Sequence, residues 1–168
     1  MLRTHESDEM STMTDRLTER HDGSGFTFAH PAASSIETDP EPATLESVVI
    51  TDAEQPVMIV AAVEESPLDT PRLQVPGMLG ELMRKYEALG GYEQRWYGRL
   101  PVEGSDAAEA AEIVYGEGDP RQALLLAARI DGPRIVTLQV HFPPSTAEMN
   151  RPLALAILES LVVHAPTS

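Results

Sequence analysis

Cysteine is absent from all 168 residues, which excludes disulfides, thiol catalysis and every cysteine-ligated metal or iron–sulfur centre. The same absence fits a reducing cytosol. Positive charge is scarce: 12 Lys and Arg stand against 27 Asp and Glu, a formal net charge of −15. A surface of that sign repels phosphate at long range, so neither nucleic acid nor an anionic membrane is an expected partner. Lys85 is the one lysine, and that scarcity beside frequent arginine and alanine is the composition of a GC-rich bacterial genome. Long apolar runs are also missing. The opening "MLRTHESDEMSTMTDRLTERHDGSG" is charged throughout and holds no signal-peptide core, and no later stretch is long enough to span a bilayer. The expectation is a soluble, cytoplasmic protein.

What is present is enough for one core. At 42% hydrophobic and 23% charged, the composition is that of a single globular domain. Residues 1–24 read as a disordered polar tail, 25–164 as the domain and 165–168 as a short second tail. "FTFAHP" is a short strand stopped by proline, and "AASSIETDPEPA" reads as a loop. "TLESVVIT" and "PVMIVAAVEES" around "DAEQ" form a hairpin.

Met78, Leu79, Leu82, Met83, Tyr86 and Leu89 recur at helical spacing, which predicts a helix over residues 77–89. Glu81 and Lys85 are expected to pair on its outer face, and Gly90-Gly91 to stop it. "YEQRWYGRLPVEG" reads as extended, with Tyr92, Gln94 and Trp96 alternating against Glu93, Arg95 and Tyr97. "DAAEAAEIVY", "QALLLAARI" and "RIVTLQVHF" then follow, joined by the turns "GEGDPR" and "DGP". Val136, Leu138, Val140 and Phe142 share one face of the last, while the middle strand is apolar on both faces and so interior. Ser145 and Glu148 have capping-box spacing, Pro152 offers an alternative start, and Leu153, Ala156, Ile157, Ser160, Leu161 and His164 form the stripe of a closing helix. Tight turns between neighbouring strands require antiparallel pairing. The fold class is therefore α+β: an antiparallel sheet of about six strands, in the order β-β-β-α-β-β-β-β-α, covered by two main helices.

No residue set signals catalysis. The five histidines share no ligand spacing, no serine sits in a nucleophile elbow, and no glycine-rich loop has the spacing of a phosphate cradle. The expectation is no enzyme, no cofactor and no metal. Arg95, Arg99, Arg121 and Arg129 come from strands expected to be close together in the sheet, where cross-strand ion pairs with Glu93, Glu112 and Glu117 are one role open to them. The other is a positive patch that receives an acidic partner, with aromatics beside arginine as favoured interface residues. Arg95, Trp96, Tyr97, Arg99 and Arg129 are the candidate partner-binding residues. A rival reading places an apolar small molecule or lipid between the sheet and the helix carrying Met78 and Met83.

"GFTFAHP", "VVITDA", "VMIVAAVEES", "YEALGGYE", "LPVEGSDAAEAAEIVYGEG" and "ILESLVV" together resemble the fold family of the photosystem subunit PsbP and the Ran-binding Mog proteins. In character the chain is most similar to the actinobacterial LpqN-type proteins and a related effector-chaperone family. The resemblance runs from about Gly25 to Val163. It implies a PsbP/Mog-like sandwich used to bind other macromolecules, with an adaptor or chaperone-like role and a protein partner. It departs at Leu161, where relatives often carry phenylalanine. The chain also has no lipoprotein cysteine, so export and membrane anchoring do not carry over.

Overall fold

The structure, a computed structural model, describes residues 15–38, 44–66 and 75–165. Its strands are β1 (Glu19–Asp22), β2 (Phe26–His30), β3 (Ala33–Glu37), β4 (Glu46–Asp52) and β5 (Met58–Glu65), followed by helix α1 (Val75–Glu87). Then come β6 (Glu93–Arg99), β7 (Ala107–Tyr115), β8 (Gln122–Asp131), β9 (Arg134–Phe142), helix α2 (Ala147–Ser160) and β10 (Val162–Val163). All strand pairs are antiparallel. Seven strands form one sheet in the order β3-β4-β5-β9-β8-β7-β6, and β1-β2-β10 form a second.

The large sheet follows from period-two patterning. Val136, Leu138, Val140 and Phe142 of β9 are buried with Leu125 and Ala127 of β8 and Ile59 and Ala61 of β5 in the main core. Phe26 and Phe28 of the small sheet and Leu153, Ile157, Leu158 and Leu161 at the chain's end complete that core from the other side. Leu124, Leu126 and Ile130 of β8 face the opposite way, where Val75 and Leu79 of α1 cover them. β8 is thus buried on both faces, as its continuous apolar run predicts. The layers are α1, the seven-stranded sheet, then α2 with the small sheet.

Several expectations are corrected. The polar tail does not extend to residue 24: β1 pairs with β2 over Glu19–Asp22, because His21 turns its ring onto Phe26 and Phe28, with centroids 5.3 and 5.4 Å apart. Its Nε2 also meets Glu46 Oε1 at 2.7 Å, while Glu46 Oε2 accepts from the Gly25 N–H. Residues 1–14 and 166–168 of the two tails lie outside the described residues. The expected loop after Pro31 contains β3, paired with β4. α1 begins at Val75, with Pro76 in the first turn, where a missing N–H costs no hydrogen bond. It ends before Gly90 and Gly91, both at positive φ; a Cβ on Gly91 would stand 2.2 Å from the Gly116 carbonyl oxygen, so glycine is required there.

α2 starts at Ala147 after a 3-10 turn over Pro144–Thr146, without a side-chain capping bond and with Pro152 inside it. Its buried stripe is Leu153, Ala154, Ile157 and Leu158, not the predicted set with Ala156. The chain continues into β10, which pairs with β2. Both outer strands of the large sheet are irregular, with register shifts between Ala33 and Ser35 in β3 and between Gln94 and Trp96 in β6.

Candidate functional site

β6 is the edge strand nearest the candidate residues, and six of its seven residues are exposed. The bulge at Arg95 breaks the expected alternation. Trp96 stands opposite Glu112, whereas Tyr97 and Arg99 stand opposite Ala111 and Glu109 and so share the other face. The Trp96 and Tyr97 side chains are each on residues 40% exposed, an unusual position for the largest apolar surfaces on the chain. Gly98 lets the indole lie along the strand, since a Cβ there would come 3.1 Å from Trp96 Cζ2.

The charges around β6 form a loose network. Arg95 Nε lies 3.5 Å from Glu93 Oε1, and Arg121 Nη1 lies 3.6 Å from Glu93 Oε2. Arg99 Nε lies 3.5 Å from Glu109 Oε1, with the arginine side chain 91% exposed. Tyr97 OH donates to Glu109 Oε2 at 2.5 Å. Burial, that hydrogen bond and the carboxylate's charge push the Tyr97 phenol up to about 12. Glu112, expected to pair with one of these arginines, is instead buried and held by Arg151 of α2 through two hydrogen bonds. Arg95 and Arg99 thus hold solvated guanidinium groups in long ion pairs at the strand's surface.

Arg129 does not belong with them. It is buried on the α2 side of the sheet, where Nε and Nη2 reach the two oxygens of Asp131 at 2.7 and 3.0 Å. Its Nη1 donates to the carbonyl oxygens of Leu158 and Leu161 at 3.3 and 2.7 Å. Both carbonyls lie at the C-terminal end of α2, where the Leu158 oxygen also accepts the Leu161 N–H and where a cation is favoured by the helix dipole. Arg129 is a structural clasp, and its assignment to the partner surface is corrected.

The space between α1 and the sheet also differs from expectation. It is an open groove of about 680 Å³ with a mixed lining, rather than an enclosed apolar cavity. Val60, Ala62 and Leu82 give it an apolar floor and wall, while Glu64, Glu81 and Lys85 bring charge. Met78 lines it, but Met83 packs on the second core cluster. Glu81 and Lys85 form no ion pair among the described residues, so the expected outward i,i+4 pair is absent. At one end Tyr86 OH donates to Gln139 Oε1 at 2.6 Å, and its ring lies 4.7 Å from that of Tyr115. Tyr115 OH contacts His141 Nδ1 at 3.3 Å. Burial lowers the His141 pKa to about 4, and burial and then the neighbouring Tyr115 raise Tyr86 to about 12. The periodicity of α1 located this wall; the polar rim from β9 was legible only as the strand's second face.

Among the described residues, no cluster of three or more His, Asp or Glu could hold a metal ion. No described helix is long and apolar enough to cross a membrane.

The fold is that of the PsbP-like proteins. A solution structure of the cyanobacterial PsbP from Synechocystis superposes with TM-score 0.66 at 16% identity, covering 87% of this chain and 92% of that one. LpqN from Mycobacterium tuberculosis, involved in cell envelope biogenesis, superposes with TM-score 0.55 at 15% identity, covering 92% and 95%. A protein of unknown function from Pseudomonas aeruginosa gives 0.52 at 14% identity, covering 89% and 98%. No family model and no curated protein sequence matches the chain.

Proposed function

We propose that this protein is a non-catalytic binding module, adaptor or chaperone-like in role, that takes a partner protein along β6. The observation that carries this reading is the exposure of Trp96 and Tyr97 on a free sheet edge, flanked by the solvated Arg95 and Arg99. Aromatic rings bury large areas at small entropic cost, and arginine forks recognise carboxylates, so the strand suits an acidic segment of another protein. On a chain of net charge −15, such a positive spot also favours one docking orientation over others. LpqN, of the same fold, is involved in cell envelope biogenesis, and a client connected with envelope assembly is the setting this neighbour lends to the proposal.

The test is affinity capture from the native host with wild type and with the double variant Arg95→Glu/Arg99→Glu, the captured proteins being identified by mass spectrometry. The variant should lose the protein that wild type captures, while its circular dichroism and melting curve stay unchanged. Equal capture by both would remove β6 as the site.

A further inference from the structure

The groove beside α1 has a polarity along its length. Tyr86 is tied to Gln139, which pairs with Val60 across the sheet, while Val75 and Leu79 pack in one cluster with Ile135, which pairs with Glu64. α1 therefore runs alongside β9 from the Glu64 end towards the Val60 end. Glu81 and Glu64 stand towards the first end and Lys85 towards the second, one helical turn or about 6 Å beyond Glu81. Val60, Ala62 and Leu82 provide the apolar surface between them. None of the three charged side chains has an ion-pair partner among the described residues.

We infer that the groove is a second binding site, separate from β6, for a short extended peptide bearing a cationic and an anionic side chain two residues apart. In an extended chain, residues i and i+2 project on one side about 7 Å apart, which matches the Glu81–Lys85 separation. The basic side chain lies against Glu64 and Glu81, the carboxylate against Lys85, and the methylene stems of these two side chains rest on Val60, Ala62 and Leu82. Opposed charges at the two ends fix the direction of the bound segment, and a uniformly charged peptide meets repulsion at one end whichever way it lies.

The experiment is an amide-resolved NMR titration of the full chain with acetyl-Ala-Lys-Val-Glu-Ala-amide. Controls have Lys at both charged positions, or Glu at both. The mixed peptide should shift the amides of Val60, Ala62, Leu82 and Lys85 and bind about fivefold or more tighter than either control, with the advantage shrinking at high salt. Lys85→Glu and Glu64→Lys/Glu81→Lys should each abolish that preference while retaining a dispersed, folded spectrum. Trp96→Ala should leave it intact, so failure of the β6 reading and failure of this one are distinguishable. Equal binding of all three peptides, no shifts at the groove, or shifts there with decanoate and none with the peptides would each overturn the inference.

Discussion

Arg129 Nη1 lies 2.7 Å from the carbonyl oxygen of Leu161, so a guanidinium near the end of β8 closes the last turn of a helix about thirty residues further along the chain. Asp131 neutralises the charge from the same strand. Replacing Arg129 by Met should cost about 3 kcal/mol, because it leaves the largely buried Asp131 carboxylate unpaired and takes the cationic donor from the Leu158 and Leu161 carbonyls. Arg99→Ala, with its side chain 91% exposed, should change stability by less than about 0.5 kcal/mol. Denaturant melts of the two variants side by side check the contrast, and equal effects would contradict the division between clasp and surface.

The closing helix should prove integral to the core. Ile157 is fully buried and Leu161 nearly so, both in the cluster shared with Phe26 and Phe28. Ile157→Ala and Leu161→Ala should each destabilise by about 2–4 kcal/mol through lost burial and the cavity left behind. Chemical denaturation measures this directly.

The segment before residue 25 should matter to stability. Removing residues 1–22 deletes β1, uncovers the rings of Phe26 and Phe28, and takes His21 from the Glu46 carboxylate. It also removes Arg16, whose Nη2 lies 3.2 Å from Asp52 Oδ2. A loss of about 2 kcal/mol follows, or roughly 5 °C in Tm for a chain of this size. Differential scanning calorimetry of the truncated protein checks it; an unchanged Tm would show that β1 contributes nothing to the fold.

A pH dependence follows from His141. Its folded pKa of about 4 lies below the ordinary 6.5 because burial disfavours the imidazolium. The unfolded chain therefore takes up the proton first as pH falls. Stability is full above pH 6.5 and declines between 6.5 and about 4, by about 3 kcal/mol from this residue. The carboxylates titrate in the same window, so the measurement is the difference between wild type and His141→Asn at pH 7 and at pH 4.5. The wild type should lose more; parallel losses would mean that His141 is protonated in the folded state.

The parts of the fold legible in the sequence are those whose burial is one-sided or complete. β9 alternates because one face meets the main core, β8 is continuous because both faces are covered, and α1 is periodic because one side meets β8. β1, β3 and β10 left no such trace. β1 is "ERHD", β3 lies at an edge with four of its five residues exposed, and β10 has two residues. Pro152 suggested a later helix start, yet the carbonyl it leaves without a donor belongs to Glu148 in the first turn, where the disruption is small. Trp96 and Tyr97 are legible as aromatics beside arginine, but their exposure is not, because it follows from the edge position of β6 in the sheet. Arg129 was not separable from Arg99, because its partners include carbonyls that are distant in the chain, and no local pattern announces them.

The bulges in β3 and β6 carry a consequence for how the molecule behaves in a crowd. A seven-stranded sheet with two regular rims would be a template for endless ribbons, each copy adding its β6 to the β3 of the next. Register shifts near Ser35 and Trp96 put the outward amide and carbonyl groups out of step with any straight strand. Repulsion between copies of net charge −15 works in the same direction. Both features work against edge-to-edge growth between copies, and on the reading proposed for β6 they select a partner by side chains that fit the irregular strand rather than by its backbone alone.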